Sequence, residues 1–219
     1  MVFYFYPRGY IENGKNDYMI YMGKDKYENE GLIKYGLPSD VWFHVDNMSS
    51  AHVYLRLPDG VDFRSIPEST LEDCAQLVKQ NSIQGCKEND VTIVYTPWAN
   101  LKKTNNMEVG QVGFYKVKEV LKTHVEKKDA VIINRLEKTK KELYPDLAAE
   151  KEAYEQNQRL ASHAAANEER SALRKAKESQ KKAEDLRAYK GIMKEEYMVS
   201  NEEMSAKYHT VEDFEDDFM

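Results

Sequence analysis

MGKDKYENEGLIKYGLPSDVWFHVDNMSSAHVYLRLP, residues 22–58, is the stretch on which the fold of this chain turns. It runs from a glycine turn at Gly23 through a helical pattern into two short runs of alternating apolar residues. A helix is expected over 25–35. Asp25 with Glu28 three positions later resembles a capping box, and Gly36 with Pro38 supplies the stop. Residues 41–45 and 51–57 alternate with period two and read as strands about a turn at Asn47 and Ser49. Val41, Phe43, Val45, Ala51, Val53, Leu55 and Leu57 then share one face, and Trp42, His44, His52, Tyr54 and Arg56 gather on the other.

Working outward, residues 2–6 and 18–22 are further strands, joined through the hairpin signal Asn13-Gly14. Pro67 opens a second helix to about residue 80, with Leu71, Cys74, Ala75 and Val78 on its apolar face. Residues 91–96 are a strong strand, and 111–115 and 117–125 complete the sheet with Gly110 and Gly113 at bends. The expectation for 1–125 is therefore an α+β domain, a mixed or antiparallel sheet with two packed helices.

After Glu126 glycine is absent until Gly191, Pro145 is the only proline, and Ala, Glu, Lys, Arg and Gln dominate. A long charged helix is expected over 126–190. Ile132, Leu136, Leu143, Leu147, Tyr154 and Ala161 give it weak coiled-coil spacing, lost at Glu168, and Pro145 marks a kink or break. Residues 191–219 turn acidic, ending in Glu212-Asp213-Phe214-Glu215-Asp216-Asp217, and read as a disordered tail.

Of the 219 residues, 32% are charged, with a net charge of -6, so overall charge does not draw this chain onto a polyanion and any such site is local. Cys74 and Cys86 are too few for a disulfide framework and lack zinc-site spacing, which suits reduced intracellular thiols. The opening Met1-Val2-Phe3-Tyr4-Phe5-Tyr6 lacks a basic leader and a small-residue cleavage site and reads as a strand. The best candidate span, 109–125, carries Lys116, Lys118, Glu119, Lys122 and His124, too many polar groups for a bilayer helix. A cytoplasmic or nuclear location follows from these residues.

Four places can meet a ligand. At Gly23 a strand runs into a helix, so free backbone N–H groups and the helix dipole can receive a phosphate beside Lys24, Asp25, Lys26 and Tyr27; an ordinary capped helix has the same sequence. On the sheet, Trp42, His44, His52 and Arg56 are the parts that stack bases and neutralise phosphate, unless a helix covers that face. Trp98 beside Lys102 and Lys103 either extends such a surface or plugs a loop. Arg174-Lys175-Ala176-Lys177 and Lys181-Lys182 form a solvated helix face or touch RNA or a ribosome. The histidine pair has no third ligand or carboxylate at a diagnostic spacing, so no catalytic residue, metal, cofactor or small-molecule substrate is expected.

Gly23-Lys24, Asn29, Asp40, Trp42, His44 and His52, with NSIQGCK (81–87), VYTPWANLKKT (94–104), RLEKTK (135–140) and PDLAAEKE (145–152), resemble the NFACT-R domain family. The resemblance runs nearly end to end and is weakest over 7–17 and 153–182. It implies an α+β nucleic-acid-binding module, shared with larger proteins of ribosome-associated quality control. Members nearest to this chain are put forward as sensors of extracellular DNA at the cell membrane. The partners implied are DNA or structured RNA, a ribosome, or a membrane-associated signalling protein, and the family pattern holds no catalytic motif. The expectation is a nucleic-acid-binding protein that is not an enzyme, with contacts from Lys24, Asp25, Lys26, Tyr27, Trp42, His44, His52, Arg56, Lys102 and Lys103. The alternative is a ribosome- or tRNA-associated intracellular adaptor that uses the long helix as an arm.

Overall fold

Alternating apolar side chains along most strands give this chain one sheet with two apolar faces, and each face has its own cover. The computed structural model describes residues 1–8, 18–58, 60–188, 200, 202–203 and 206. The expected Asn13-Gly14 turn and nearly all of the acidic tail lie outside the described residues.

In chain order the elements are β1 (Val2–Phe5), β2 (Met19–Gly23), α1 (Lys26–Tyr35), β3 (Asp40–Val45), β4 (Val53–Arg56), α2 (Glu68–Gln80), β5 (Val91–Pro97), β6 (Leu101–Lys102), β7 (Gly113–Phe114), β8 (Leu121–Val125), α3 (Ala130–Thr139), β9 (Lys141–Leu143) and α4 (Leu147–Arg187). The described strands form a seven-stranded antiparallel sheet in the order β8-β5-β3-β4-β2-β1-β9, and β6 and β7 pair as a separate ribbon. The fold is α+β, as expected.

Val41 stands opposite Leu55, and Phe43 opposite Val53, so the apolar set of β3 and β4 faces α2 and α3 and packs with Phe5, Ile20, Leu77, Ile93 and Leu136. The alternate residues Tyr21, Trp42, Tyr54 and Val94 enter a second core with Val2, Leu32 and Leu101. Trp98, Phe114 and Leu147 pack against this second core from outside. The sheet is thus covered on both sides, as helices on both faces demand.

Gly36 ends α1 for a reason other than the one expected. Its φ of -57° is open to any residue. A Cβ there would run into the Trp98 indole, whose N–H donates to Ile33 O at 2.8 Å, so Gly36 leaves room for that ring. Trp98 is a packing plug, with the Lys151 ammonium 4.7 Å from its centroid.

Two expectations are corrected. Residues 111–115 do not join the main sheet, since Gly113–Phe114 pairs with Leu101–Lys102 and Val117–Glu119 is a 3-10 turn; only Leu121–Val125 reaches β5. The long helix expected over 126–190, with a kink or break at Pro145, is two helices with a strand between them, and Pro145 lies in the break. Ile132 and Leu136 of α3 enter the first core, whereas Leu143 is extended in β9 opposite Val2, where it satisfies the open edge of β1. The apolar spacing that looked like one seam belongs to three elements, α3, β9 and α4. Packing divides the chain into Met1–Asn157 and Gln158–Met219. α4 spans 41 residues, none of them buried.

Leu136 is fully buried, while Val131 on the same helix is 77% exposed. Leu136→Ala is expected to cost about 2–5 kcal/mol in a urea titration and Val131→Ala less than about 0.5 kcal/mol. Equal, small losses would place α3 outside the core.

Candidate nucleic-acid interface

The turn between β2 and α1 is tight because Gly23 passes close to the helix: a Cβ on it would lie 3.1 Å from Asn29 N. Asp25 caps α1, its Oδ1 accepting from Tyr27 N at 2.9 Å and Glu28 N at 3.0 Å. These bonds, the one from Glu28 first, hold the Asp25 carboxyl below its usual range. Two backbone donors that an anion would use are therefore already occupied by the chain itself. Lys24 and Lys26 flank the cap, are exposed, and have no carboxylate partner among the described residues.

Behind this turn lies a cavity of about 290 Å³ lined by Gly23 to Lys26, Asn29, His44, Ser49 to His52, Val109 and Gly110. Its inner wall is a bonded chain. The Trp42 indole donates to His52 Nδ1 at 2.8 Å, so the His52 proton sits on Nε2, on the side of the Gly110 backbone. His44 stacks on Trp42 with centroids 5.4 Å apart, and its Nδ1–H donates to Val45 O at 2.7 Å. Burial, aided by the neighbouring His44, lowers the His52 pKa to about 3, and burial also lowers that of His44. Both rings are therefore uncharged at neutral pH, and both nitrogens of His52 are already engaged within the protein.

The outer wall is clamped. Lys103 Nζ donates to Glu30 Oε1 at 2.8 Å and to the carbonyls of Glu108 and Gln111, while Gly110 N donates to the same Glu30 oxygen at 2.6 Å. The loop over 108–111 is so bound to α1, with Gly110 in the left-handed region at φ 85°.

The structure brings Lys24, Asp25, Lys26, His44 and His52 together around one cavity. Tyr27 lies beside them, 68% exposed, with the Lys26 ammonium 5.4 Å from its ring centroid. Trp42, 2% exposed, presents no face on which a base can stack. Arg56 is elsewhere, bonded through Nε to Asp40 Oδ1 at 2.9 Å and placed over the Tyr21 ring. Burial opposes its charge, but Asp40 outweighs burial and the net shift is upward. Lys103 belongs to the clamp, and Lys102 is exposed on the β6–β7 ribbon. The sheet face expected to meet bases is thus covered by the second core.

Asn29 is the residue that the list of expected contacts omits. It is 5% exposed, its Oδ1 accepts from the buried Tyr54 hydroxyl at 2.8 Å, and its Nδ2 has no hydrogen-bond partner among the described residues. An unmet buried donor costs roughly 1–3 kcal/mol. Asparagine inside a helix, where it is a poor helix former, is the signal that marks it. No group of three or more His, Cys, Asp or Glu among the described residues is arranged to hold a metal.

His52 binds protons less well folded, near pKa 3, than its ordinary 6.5, so the unfolded chain takes up more protons between these values and stability is lost as pH falls through that window. His52→Ala is expected to cost about 1–3 kcal/mol at pH 7.5, because Trp42 Nε1 loses its acceptor. The gap from wild type should narrow toward pH 4 in urea titrations. A gap independent of pH would contradict a neutral buried ring.

Comparison with known proteins completes the description. Residues 1–116 match the family model described as NFACT protein RNA binding domain. A Mus musculus protein named coiled-coil domain-containing protein 25 is 55% identical over 210 residues, covering 93% of this chain and 96% of its own. A Dictyostelium discoideum homolog of the same name is 51% identical over 203 residues, covering 93% and 95%. Among solved structures, the C-terminal part of the fibronectin/fibrinogen-binding protein from Streptococcus suis aligns at 20% identity with a TM-score of 0.46, over 57% of this chain and 46% of that one. On the family match and the two relatives, the chain belongs to the NFACT protein RNA binding domain family.

Proposed function

We propose that this protein binds nucleic acid without catalysing a reaction on it, and that the Gly23 turn with the cavity behind it is the point of contact. The observation that carries this reading is the pair of exposed lysines, Lys24 and Lys26, which form no salt bridge among the described residues and lie beside a cavity whose inner rings are neutral. The site lies inside the stretch matched to an RNA-binding family, which favours RNA over DNA as ligand. With a net charge of -6 the chain relies on this local positive pair rather than on its overall field. Lys102, the exposed residue of the β6–β7 ribbon, is a second point for the backbone to touch.

The two parts of the chain divide the work. The packed unit Met1–Asn157 binds the ligand, and the part of α4 beyond Asn157 serves as an arm for a protein or ribosomal partner, a reading favoured by its having no buried residue. No helix among the described residues is long and apolar enough to cross a membrane, so a role at the membrane needs a partner or a further element to bring the chain there.

Lys24→Glu/Lys26→Glu is expected to weaken RNA binding at least tenfold in fluorescence anisotropy at about 100 mM salt. It should reduce the slope of log K against log salt by about 1.4, at roughly 0.7 per lost phosphate contact on a single strand. The same titration with DNA of matching sequence should show weaker binding. An unchanged slope in the double variant would remove the turn from the interface.

A further inference from the structure

Beyond Asn157, α4 spreads its charge unevenly around its axis. At 3.6 residues per turn, Arg170, Arg174, Lys177 and Lys181 fall within an arc of about 60° and follow one another for about 16 Å along the helix. All four are exposed. Residues three and four apart on a helix are neighbours, so each of these cations stands against the next, an arrangement that weakens a helix. Acids in between would relieve it. Arg170 and Lys177 have none at three or four residues in either direction. Glu178, beside Arg174, is bonded to Lys182 Nζ at 2.8 Å, and Glu184 and Asp185 lie beyond the last cation. None of the four forms a salt bridge among the described residues. The stripe therefore repels itself, and an anionic partner would relieve that repulsion.

The rest of this helix narrows the partner. Ala165, Ala172, Ala176 and Ala183 lie on the reverse face, and the exposed Leu160, Leu173 and Leu186 point in three different directions. A helix lying in a membrane interface needs one broad apolar face, which these residues do not form. Residues 158–187 contain no Phe, Tyr or Trp, so the stripe has none of the rings on which an unpaired base stacks. What it offers is a straight row of charges, about 4.5 to 6 Å apart along the axis. Such a row suits the regular phosphates of a duplex, which a protein can follow without reading its bases.

We propose that Arg170, Arg174, Lys177 and Lys181 dock α4 on the phosphate backbone of a nucleic-acid duplex, independently of its sequence. This rests on the nucleic-acid reading above and gives the arm a partner of stated chemistry. Binding at the stripe and binding at the Gly23 turn are separate contacts.

The test uses the full chain and a labelled blunt duplex of about 20 base pairs, as RNA and as DNA, in fluorescence anisotropy across a salt titration. Tight binding of either duplex supports the stripe, and the comparison shows which backbone is preferred. Arg170→Gln/Arg174→Gln/Lys177→Gln/Lys181→Gln keeps good helix formers and should retain the helical circular dichroism signal. It is expected to weaken duplex binding at least tenfold at about 100 mM salt and to lower the slope of log K against log salt by about 3, at roughly 0.9 per lost contact. Lys175→Gln/Lys182→Gln removes two cations outside the stripe and should change the slope by less than about 1. Unchanged duplex binding in the four-residue variant would overturn the proposal, and so would an equal loss per removed charge in both variants. Binding to phosphatidylserine vesicles that the four-residue variant loses, with duplex binding intact, would assign the stripe to a membrane surface instead. None of these results touches the Gly23 turn, whose variant Lys24→Glu/Lys26→Glu is read on single-stranded RNA. A wild-type chain that binds neither duplex nor single strand would overturn both readings.

Discussion

The buried hydrogen bond from the Tyr54 hydroxyl to Asn29 Oδ1, 2.8 Å long, is the constraint around which the site is built. Tyr54 sits in the middle of the sheet with no exposure, so its hydroxyl must find an acceptor inside the protein. The acceptor it finds belongs to α1. This ties the helix across the second face of the sheet and leaves the other end of the Asn29 amide unmatched beside the cavity. Gly23 follows from the same placement, because the chain must enter the helix within contact distance of Asn29 N.

A sheet with two covered faces needs polar connections within its second core, and two of them define what the site is made of. Trp42 and His52 bond to each other, with His52 turned toward Gly110, which settles the tautomer, while burial and the neighbouring His44 keep the ring uncharged. Asp40 and Arg56 pair at the far end of the same strands, with Leu37 N donating to Asp40 Oδ2 at 2.7 Å. Removing either partner of such a pair leaves a buried charge, so Arg56 is held where it is and is not at liberty to follow a ligand. Aromatic and basic residues that looked like one binding surface therefore separate by role. Trp42 and Arg56 are held by the fold, His44 and His52 line the cavity, and Lys24 and Lys26 are the proposed source of positive charge beside it.

The alternation of residues 41–45 and 51–57, the helix started by Asp25 and the helix after Pro67 were all legible in the sequence, because each is set by local periodicity and capping. The assignment of Trp42 and Tyr54 to one face and Phe43 and Leu55 to the other was legible for the same reason. Which face is covered was not, since that depends on α1, Trp98 and Phe114 arriving from elsewhere in the chain. Leu143 shows the opposite failure: its spacing from Leu136 suits a helical seam, yet pairing with the edge of β1 decides its conformation. Lys103 could not be separated from Lys102 by residue type, because only the fold brings Glu30 beside one of them. Asn29 lay within the recognised motif, but its role appears only when both ends of its amide are followed to their partners.

The central claim is that nucleic acid meets the chain at the Gly23 turn, through Lys24 and Lys26. Its most direct measurement is an NMR titration of isotopically labelled protein with a short single-stranded RNA, following side-chain amide and backbone N–H signals. The account predicts that the Asn29 side-chain amide and the backbone of Lys24, Lys26 and Gly110 shift together and saturate at one concentration. Shifts confined to α4 around Arg174 to Lys182, with the Asn29 amide unmoved at saturation, would contradict it.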